Sequence, residues 1–171
     1  MIEIHPRLWL GNDDDAEIAI DSVRRDSRQA NFGHGQVWAM VSAAKEPYHR
    51  SLVGYTGRAA PEGPERFSVR RGRHLALNWV DVDDPTWFHV RELEEACDHI
   101  DAAQIMEIDC LVHCNQGVSR SPSLALFWLH TRSGNEGWRA FDFESAEVRF
   151  RQLYPEYDPT EGVREFIRGQ W

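Results

Sequence analysis

The stretch CLVHCNQGVSRSPSLALFWLH, Cys110 to His130, constrains this chain more than any other part of it. An apolar run ends at His113-Cys114, six mostly small or polar residues follow, and a second apolar run opens after Ser121-Pro122. This pattern reads as a buried strand, a short loop and a helix. Pro122 suits a first helical position, because its missing N–H costs nothing there. A loop curled between a strand end and a helix start can aim several backbone N–H groups at one point. The helix N-terminus adds its partial positive charge to that point.

The rest of the chain alternates strand-like and helix-like segments. Ile2–Ile4 and Leu8–Leu10 read as short strands around the turn His5-Pro6-Arg7. GNDDDAEIAIDSVRRDS reads as a helix capped by Asn12 or an early Asp, with Ala16, Ala19, Ile20 and Val23 as its apolar stripe. Asp13-Asp14-Asp15 is a candidate metal cluster, but acidic residues in a first helical turn are explained by capping and the helix dipole. QVWAMV, Gln36 to Val41, reads as a buried strand, and residues 42–73 as an irregular excursion with one short helix. RHLALNWV alternates Leu75, Leu77 and Trp79 with period two, hence a strand. It runs into the acidic loop DVDDPTW and then a helix whose inward face is Val90, Leu93, Cys97 and Ile100. On that spacing Cys97 is a core residue. A helix carrying Phe143, Ala146, Phe150 and Leu153 and a last helix in GVREFIRGQW close the chain. Strands alternating with helices predict an α/β fold, one domain over 1–171 with a mostly parallel central sheet flanked by helices.

Charge narrows the partners. Net charge is −9, which argues against nucleic acid and against an anionic membrane as broad electrostatic partners. Arg58, Arg66, Arg70, Arg71 and Arg73 nevertheless fall in one short region and could form a local positive rim or a solvated basic face. No apolar run approaches the ~20 residues of a membrane span, and MIEIHPRLWLG lacks a basic start followed by an apolar stretch. The expectation is a cytoplasmic protein. Three cysteines, Cys97, Cys110 and Cys114, argue for a reactive thiol rather than a disulfide framework. A strand would hold Cys110 and Cys114 about 13 Å apart, beyond disulfide reach. Zinc at His113-Cys114 is a poor fit, because adjacent strand residues point to opposite faces.

Within the loop, five residues separate the thiol of Cys114 from the guanidinium of Arg120. The planar fork of an arginine can hold two oxygens of a tetrahedral dianion, which lysine cannot reproduce. Gly117 permits a backbone angle or close approach closed to larger residues. A field of converging amides favours thiolate over thiol. One loop could thus bind a phosphate and supply the nucleophile.

HCNQGVSRS resembles the Cys-x5-Arg-Ser/Thr active-site loop of the protein tyrosine phosphatases, and VHCNQGVSRSP is similar to their dual-specificity branch. IHPRLWLGN, QVWAMVSAA, HLALNWVDV with the helix over 88–104, and AEVRFRQLYPEYDPTEGVREFI resemble the corresponding parts of that branch. Region 45–73 is the weakest part of the likeness. The resemblance implies Cys114 as nucleophile and Arg120 with the amides of Asn115, Gln116, Gly117, Val118, Ser119 and Arg120 as the phosphate cradle. It implies Ser121 as the hydroxyl that assists breakdown of the thiophosphate, and His113 as the residue that orders the loop and tunes the thiol. No metal or organic cofactor is implied, and the implied partner is a phosphorylated protein substrate.

The leaving group needs a proton from a carboxylic acid on another loop. DVDDP offers Asp81, Asp83 and Asp84. The family's acid usually lies four residues after an inward aliphatic at the strand end, and counting from Leu77 selects Asp81. Counting back from the helix near Leu93 favours Asp83, and Asp84 ranks third. The chain has Pro159-Thr160 where the family often has Pro-Asn, which puts one supporting hydrogen bond in doubt. Other readings are a phospho-binding module without turnover, and a phosphatase of RNA 5′ ends or phosphoinositides.

Overall fold

The computed structural model describes residues 1–28 and 38–171, the side chains of 22–28 excepted. The side chain of Val23 in the expected stripe, and Gln36-Val37 of the expected strand, lie outside what is described. Among the described residues six strands form one sheet: β1 (Ile2–His5), β2 (Leu8–Gly11), β3 (Trp38–Ser42), β4 (Ser68–Arg71), β5 (His74–Leu77) and β6 (Asp109–His113). Their order is β1-β2-β6-β3-β5-β4. The inner four run parallel, and β1 and β4 close the edges antiparallel. The helices are α1 (Asp13–Arg28), α2 (Arg50–Val53), α3 (Val90–Ile105), α4 (Arg120–Thr131), α5 (Glu136–Arg139), α6 (Phe143–Leu153) and α7 (Glu161–Arg168).

Strand alternation divides the core into two layers. Trp38 and Met40 of β3 and Leu111 of β6 pack with Ala16 and Ala19 of α1. Ala39 and Val41 of β3, with Cys110 and Val112 of β6, join the larger cluster built by α3, α4, α6 and α7. Leu75, Ala76 and Leu77 of β5 are all buried. A strand covered on both sides is what a parallel sheet between helices requires. The chain is a single α/β domain. Helix α1 begins as expected: Asn12 Oδ1 accepts from the Asp15 amide at 3.1 Å, and an Asp15 carboxylate oxygen accepts from the Asn12 amide at 3.1 Å. This reciprocal box satisfies two of the donors a helix start leaves open.

Several boundaries differ from the sequence reading. The excursion over 42–73 contains a short helix but also the edge strand β4, whose Ser68 and Val69 are buried while Arg70 and Arg71 face out. The strand in RHLALNWV is shorter than expected and ends at Leu77, although the Asn78 amide still donates to the Phe67 carbonyl in the register of the β4–β5 pair. Val90 is exposed, so the apolar part of the inward face of α3 starts at Leu93. Helix α4 starts at Arg120 rather than Pro122, which occupies its third position, still among the residues with no intrahelical N–H bond to lose.

Candidate active site

Strand β6 sits between β2 and β3, so the loop after His113 emerges flanked by Gly11 and Ser42. Cys114 begins that loop and is almost fully buried. The Ser121 hydroxyl, from the first turn of α4, donates to its sulfur at 3.2 Å. Gly117 has φ of 77°, and a Cβ there would lie 2.9 Å from the Gly11 carbonyl oxygen. Both facts penalise a larger residue there.

The loop's carbonyls are tied outward. Asn115 O accepts from the Asp13 amide at 3.4 Å, and Val118 O from the Asp158 amide at 2.8 Å. Gly117 O accepts from the Tyr154 hydroxyl at 3.0 Å, and Ser119 O from the Ser123 hydroxyl at 2.7 Å. Among the described residues, the amides of Asn115 to Ser119 donate to no backbone carbonyl. A short curl whose carbonyls face out, at the start of a twelve-residue helix, is an anion-binding concavity.

Arg120 is 6 % exposed and is held from two loops. Its guanidinium donates to the Trp79 carbonyl at 3.2 Å and to Asn115 Oδ1 at 2.9 Å, and its Nε lies 3.6 Å from Asp81 Oδ2. Asp81 in turn accepts from the Ser119 hydroxyl at 2.9 Å and the Thr160 hydroxyl at 3.1 Å. Of the three candidate acids only Asp81 is brought to the loop. Asp84 caps the 3-10 turn Pro85–Trp87, accepting from the Thr86 amide and hydroxyl, and these bonds hold its carboxyl below the usual range. Among the described residues Asp83 has no side-chain hydrogen bond or ion pair and faces solvent. Gln116 is exposed at the loop's outer edge, and Val118 is half-buried.

Behind the cup lies a polar cluster that the sequence reading did not anticipate. A His113 ring nitrogen shares a 2.6 Å hydrogen bond with Ser42 Oγ, which shares another at 2.7 Å with His74. Asp13 reaches this cluster from the first turn of α1. It accepts from the Tyr48 hydroxyl at 2.8 Å and the Asn115 amide group at 3.0 Å. Its carboxylate also approaches His113 Nδ1 to 3.7 Å, too long for a good hydrogen bond. Burial works to raise the Asp13 pKa, but His113, Asn115 and Tyr48 outweigh it and hold the carboxyl below its ordinary value. Burial pushes both histidines down, His74 to about 4, so neither is charged at neutral pH. Capping explains Asp15 but not Asp13; the surplus carboxylate in a three-Asp run was the available signal.

Cys97 and Cys110 are fully buried free thiols, and burial pushes each up to about 12. Such thiols are inert. The arginines of the excursion do not form one rim. Arg58 and Arg66 line a cavity beside the cup, whereas Arg70, Arg71 and Arg73 lie along β4 and its turn into β5. Arg66 and Arg71 are paired with Glu62 and Glu65.

Comparison with solved structures places this architecture. The crystal structure of DUSP15 matches 99 % of this chain and 85 % of its own, with a TM-score of 0.62 and 20 % identity. The fold is that of the dual-specificity phosphatases. The PTP-2 phosphatase of Cydia pomonella matches 98 % of the chain and 88 % of its own, with a TM-score of 0.59 and 23 % identity. In sequence, 79 residues, 46 % of this chain, are 32 % identical to human dual specificity protein phosphatase 5 and span 21 % of that protein. No family model matches. The dual-specificity phosphatase fold puts a strand-to-helix loop at the C-terminal edge of a parallel sheet, where ligands of open α/β sheets bind. Cys114 stands at that edge.

Proposed function

We propose that the chain, as one catalytic domain over 1–171, is a cysteine-dependent protein phosphatase. Its substrates are phosphotyrosine monoesters in phosphorylated proteins, with phosphoserine and phosphothreonine as further substrates. The observation that carries this reading is the convergence of Arg120 and Asp81 on a loop whose carbonyls are turned away from it. A cup that presents amides, a guanidinium and a buried sulfur suits a tetrahedral dianion and a nucleophilic displacement. Three free thiols fit the reducing cytoplasm, and among the described residues no helix is long and apolar enough to cross a membrane.

In this reading the Cys114 thiolate attacks phosphorus as the bond from phosphorus to the leaving oxygen breaks. Asp81, oriented by Ser119 and Thr160, gives its proton to that oxygen. Arg120 and the loop amides hold the three equatorial oxygens. Water then attacks the cysteinyl-phosphate, Asp81 takes the proton, and the Ser121 hydroxyl, already 3.2 Å from the sulfur, stabilises the departing thiolate. His113 keeps the loop in register through Ser42 and moves no proton.

The test is hydrolysis of a small aryl phosphate in the presence of chelator. Wild type turns over, Cys114→Ser falls to background, and Arg120→Ala loses about 100-fold or more. Undiminished turnover in Cys114→Ser overturns the mechanism. A folded wild type that binds phosphopeptide without turnover makes the protein a phospho-binding module.

A further inference from the structure

A cavity of about 750 Å³ lies beside the cup, between the 45–67 excursion and the loop that carries Asp81. Its walls are the immediate neighbours of cup residues. The Lys45 amide donates to the Trp79 carbonyl that also takes Arg120, and the Glu46 carbonyl takes the Asn115 amide group. Val80 and Val82 face the cavity while Asp81 between them turns to Ser119 and Arg120, the alternation of an extended chain. Its volume falls in the range of about 300–1,000 Å³ typical of ligand sites. That is larger than the cup needs for a single phosphate.

The lining combines positive charge with exposed apolar surface. Arg50 and Arg66 are neutralised by Glu46 and Glu62, but Lys45 and Arg58 have no carboxylate in ion-pair contact among the described residues. Glu92 in the lining is 1 % exposed, and burial pushes it up to about 8, so its neutral form predominates at neutral pH. A surplus of positive charge thus sits in a chain of net charge −9. Phe67, Val80 and Val82 supply apolar wall, and Trp87 stands 59 % exposed at the rim.

We propose that this cavity binds the residues flanking the phosphorylated residue of a peptide substrate, and that it selects an acidic residue together with a bulky apolar one. The inference rests on the phosphatase reading for the cup and adds a selectivity that the cup alone does not give. A long polyanion such as RNA would meet the −9 of the whole chain, whereas a short acidic segment meets only Lys45 and Arg58. Apolar walls also have no use for a sugar-phosphate backbone.

The test is fluorescence anisotropy on Cys114→Ser protein with labelled phosphotyrosyl peptides, Glu-flanked or Lys-flanked, each with and without a neighbouring Leu. Glu-flanked peptides should bind about three- to tenfold tighter than Lys-flanked ones, with the gap narrowing in high salt. Adding Arg58→Glu, an exposed side chain, should abolish or invert the preference. Adding Trp87→Ala should remove the gain from Leu. Equal affinity for both flanks, a preference that persists in Arg58→Glu, or tighter binding of a 5′-phosphorylated oligoribonucleotide overturns the proposal. Aryl phosphate turnover by wild type and Arg58→Glu, expected to be equal, is scored separately. Its absence in wild type sinks the phosphatase reading, while the flank preference in Cys114→Ser still decides this one.

Discussion

The Thr160 hydroxyl donates to Asp81 Oδ1 at 3.1 Å, the same oxygen that takes the Ser119 hydroxyl at 2.9 Å. Thr160 stands at the N-terminal boundary of α7, which packs so closely on the loop of Asp81 that a Cβ on Gly162 would lie 2.3 Å from the Val82 carbonyl oxygen. The last helix of the chain thus holds the carboxylate over the loop. Threonine supplies a supporting bond at the position where the family resemblance leads one to expect asparagine.

Removing that bond should loosen Asp81 without unfolding anything. Thr160→Val is expected to lower kcat about two- to tenfold on substrates with poor leaving groups, the size of one hydrogen bond. Good leaving groups, which need no proton, should be nearly unaffected, and Thr160→Ser should restore the wild-type slope. A uniform loss across a leaving-group series would show that Thr160 does not act through the acid.

Gly117→Ala tests the shape of the cup. A methyl group there meets the Gly11 carbonyl and requires a left-handed backbone that costs alanine about 1–2 kcal/mol. The expected outcome is a folded protein with a modestly lower melting temperature that has lost binding of phosphate or a similar oxyanion, measured by titration calorimetry. Retained binding would mean the loop closes on the anion by another path.

Asp13 links the start of α1 to the arginine. Its carboxylate takes Asn115 Nδ2, and Asn115 Oδ1 takes the Arg120 guanidinium. Asp13→Ala should therefore raise KM for a small aryl phosphate about tenfold, more than it lowers kcat, while Asp15→Ala should act on stability alone. The Asp15 carboxylate accepts from the Asn12 amide and pairs with the N-terminal amine, and neither contact leads to the cup.

Legibility in the sequence followed contiguity. Cys114, Gly117, Arg120 and Ser121 share one loop and one helical turn, so their spacing is legible directly, and counting from Leu77 selects the one aspartate of the three candidates that the fold brings to that loop, Asp81. The support for that loop was not legible. Asp13, Ser42, Tyr48, His74 and Thr160 lie 32 or more residues from at least one partner, and only the strand order brings them together. Strand β4 was missed for a local reason. As an edge strand it buries only Ser68 and Val69, too little for a periodic signal.

The last prediction concerns pH. Glu92 closes the N-terminal box of α3, with an oxygen accepting from the His89 amide at 3.2 Å, and burial pushes its pKa up to about 8. A carboxyl raised in the folded state binds more protons folded than unfolded between the ordinary range near 4.3 and about 8. Its contribution is therefore fully present at low pH and is lost as pH rises through that window, with a slope of at most ~1.4 kcal/mol per pH unit. His74 works the opposite way. Depressed to about 4, it favours the folded state above its unfolded value near 6.5, and that contribution is lost as pH falls through about 4. Urea midpoints measured from pH 4 to 9 should therefore decline at both ends. Glu92→Gln should flatten the decline above neutrality and leave the acid limb in place, and His74→Gln should blunt the acid limb alone. An alkaline decline that survives in Glu92→Gln would assign it to another group.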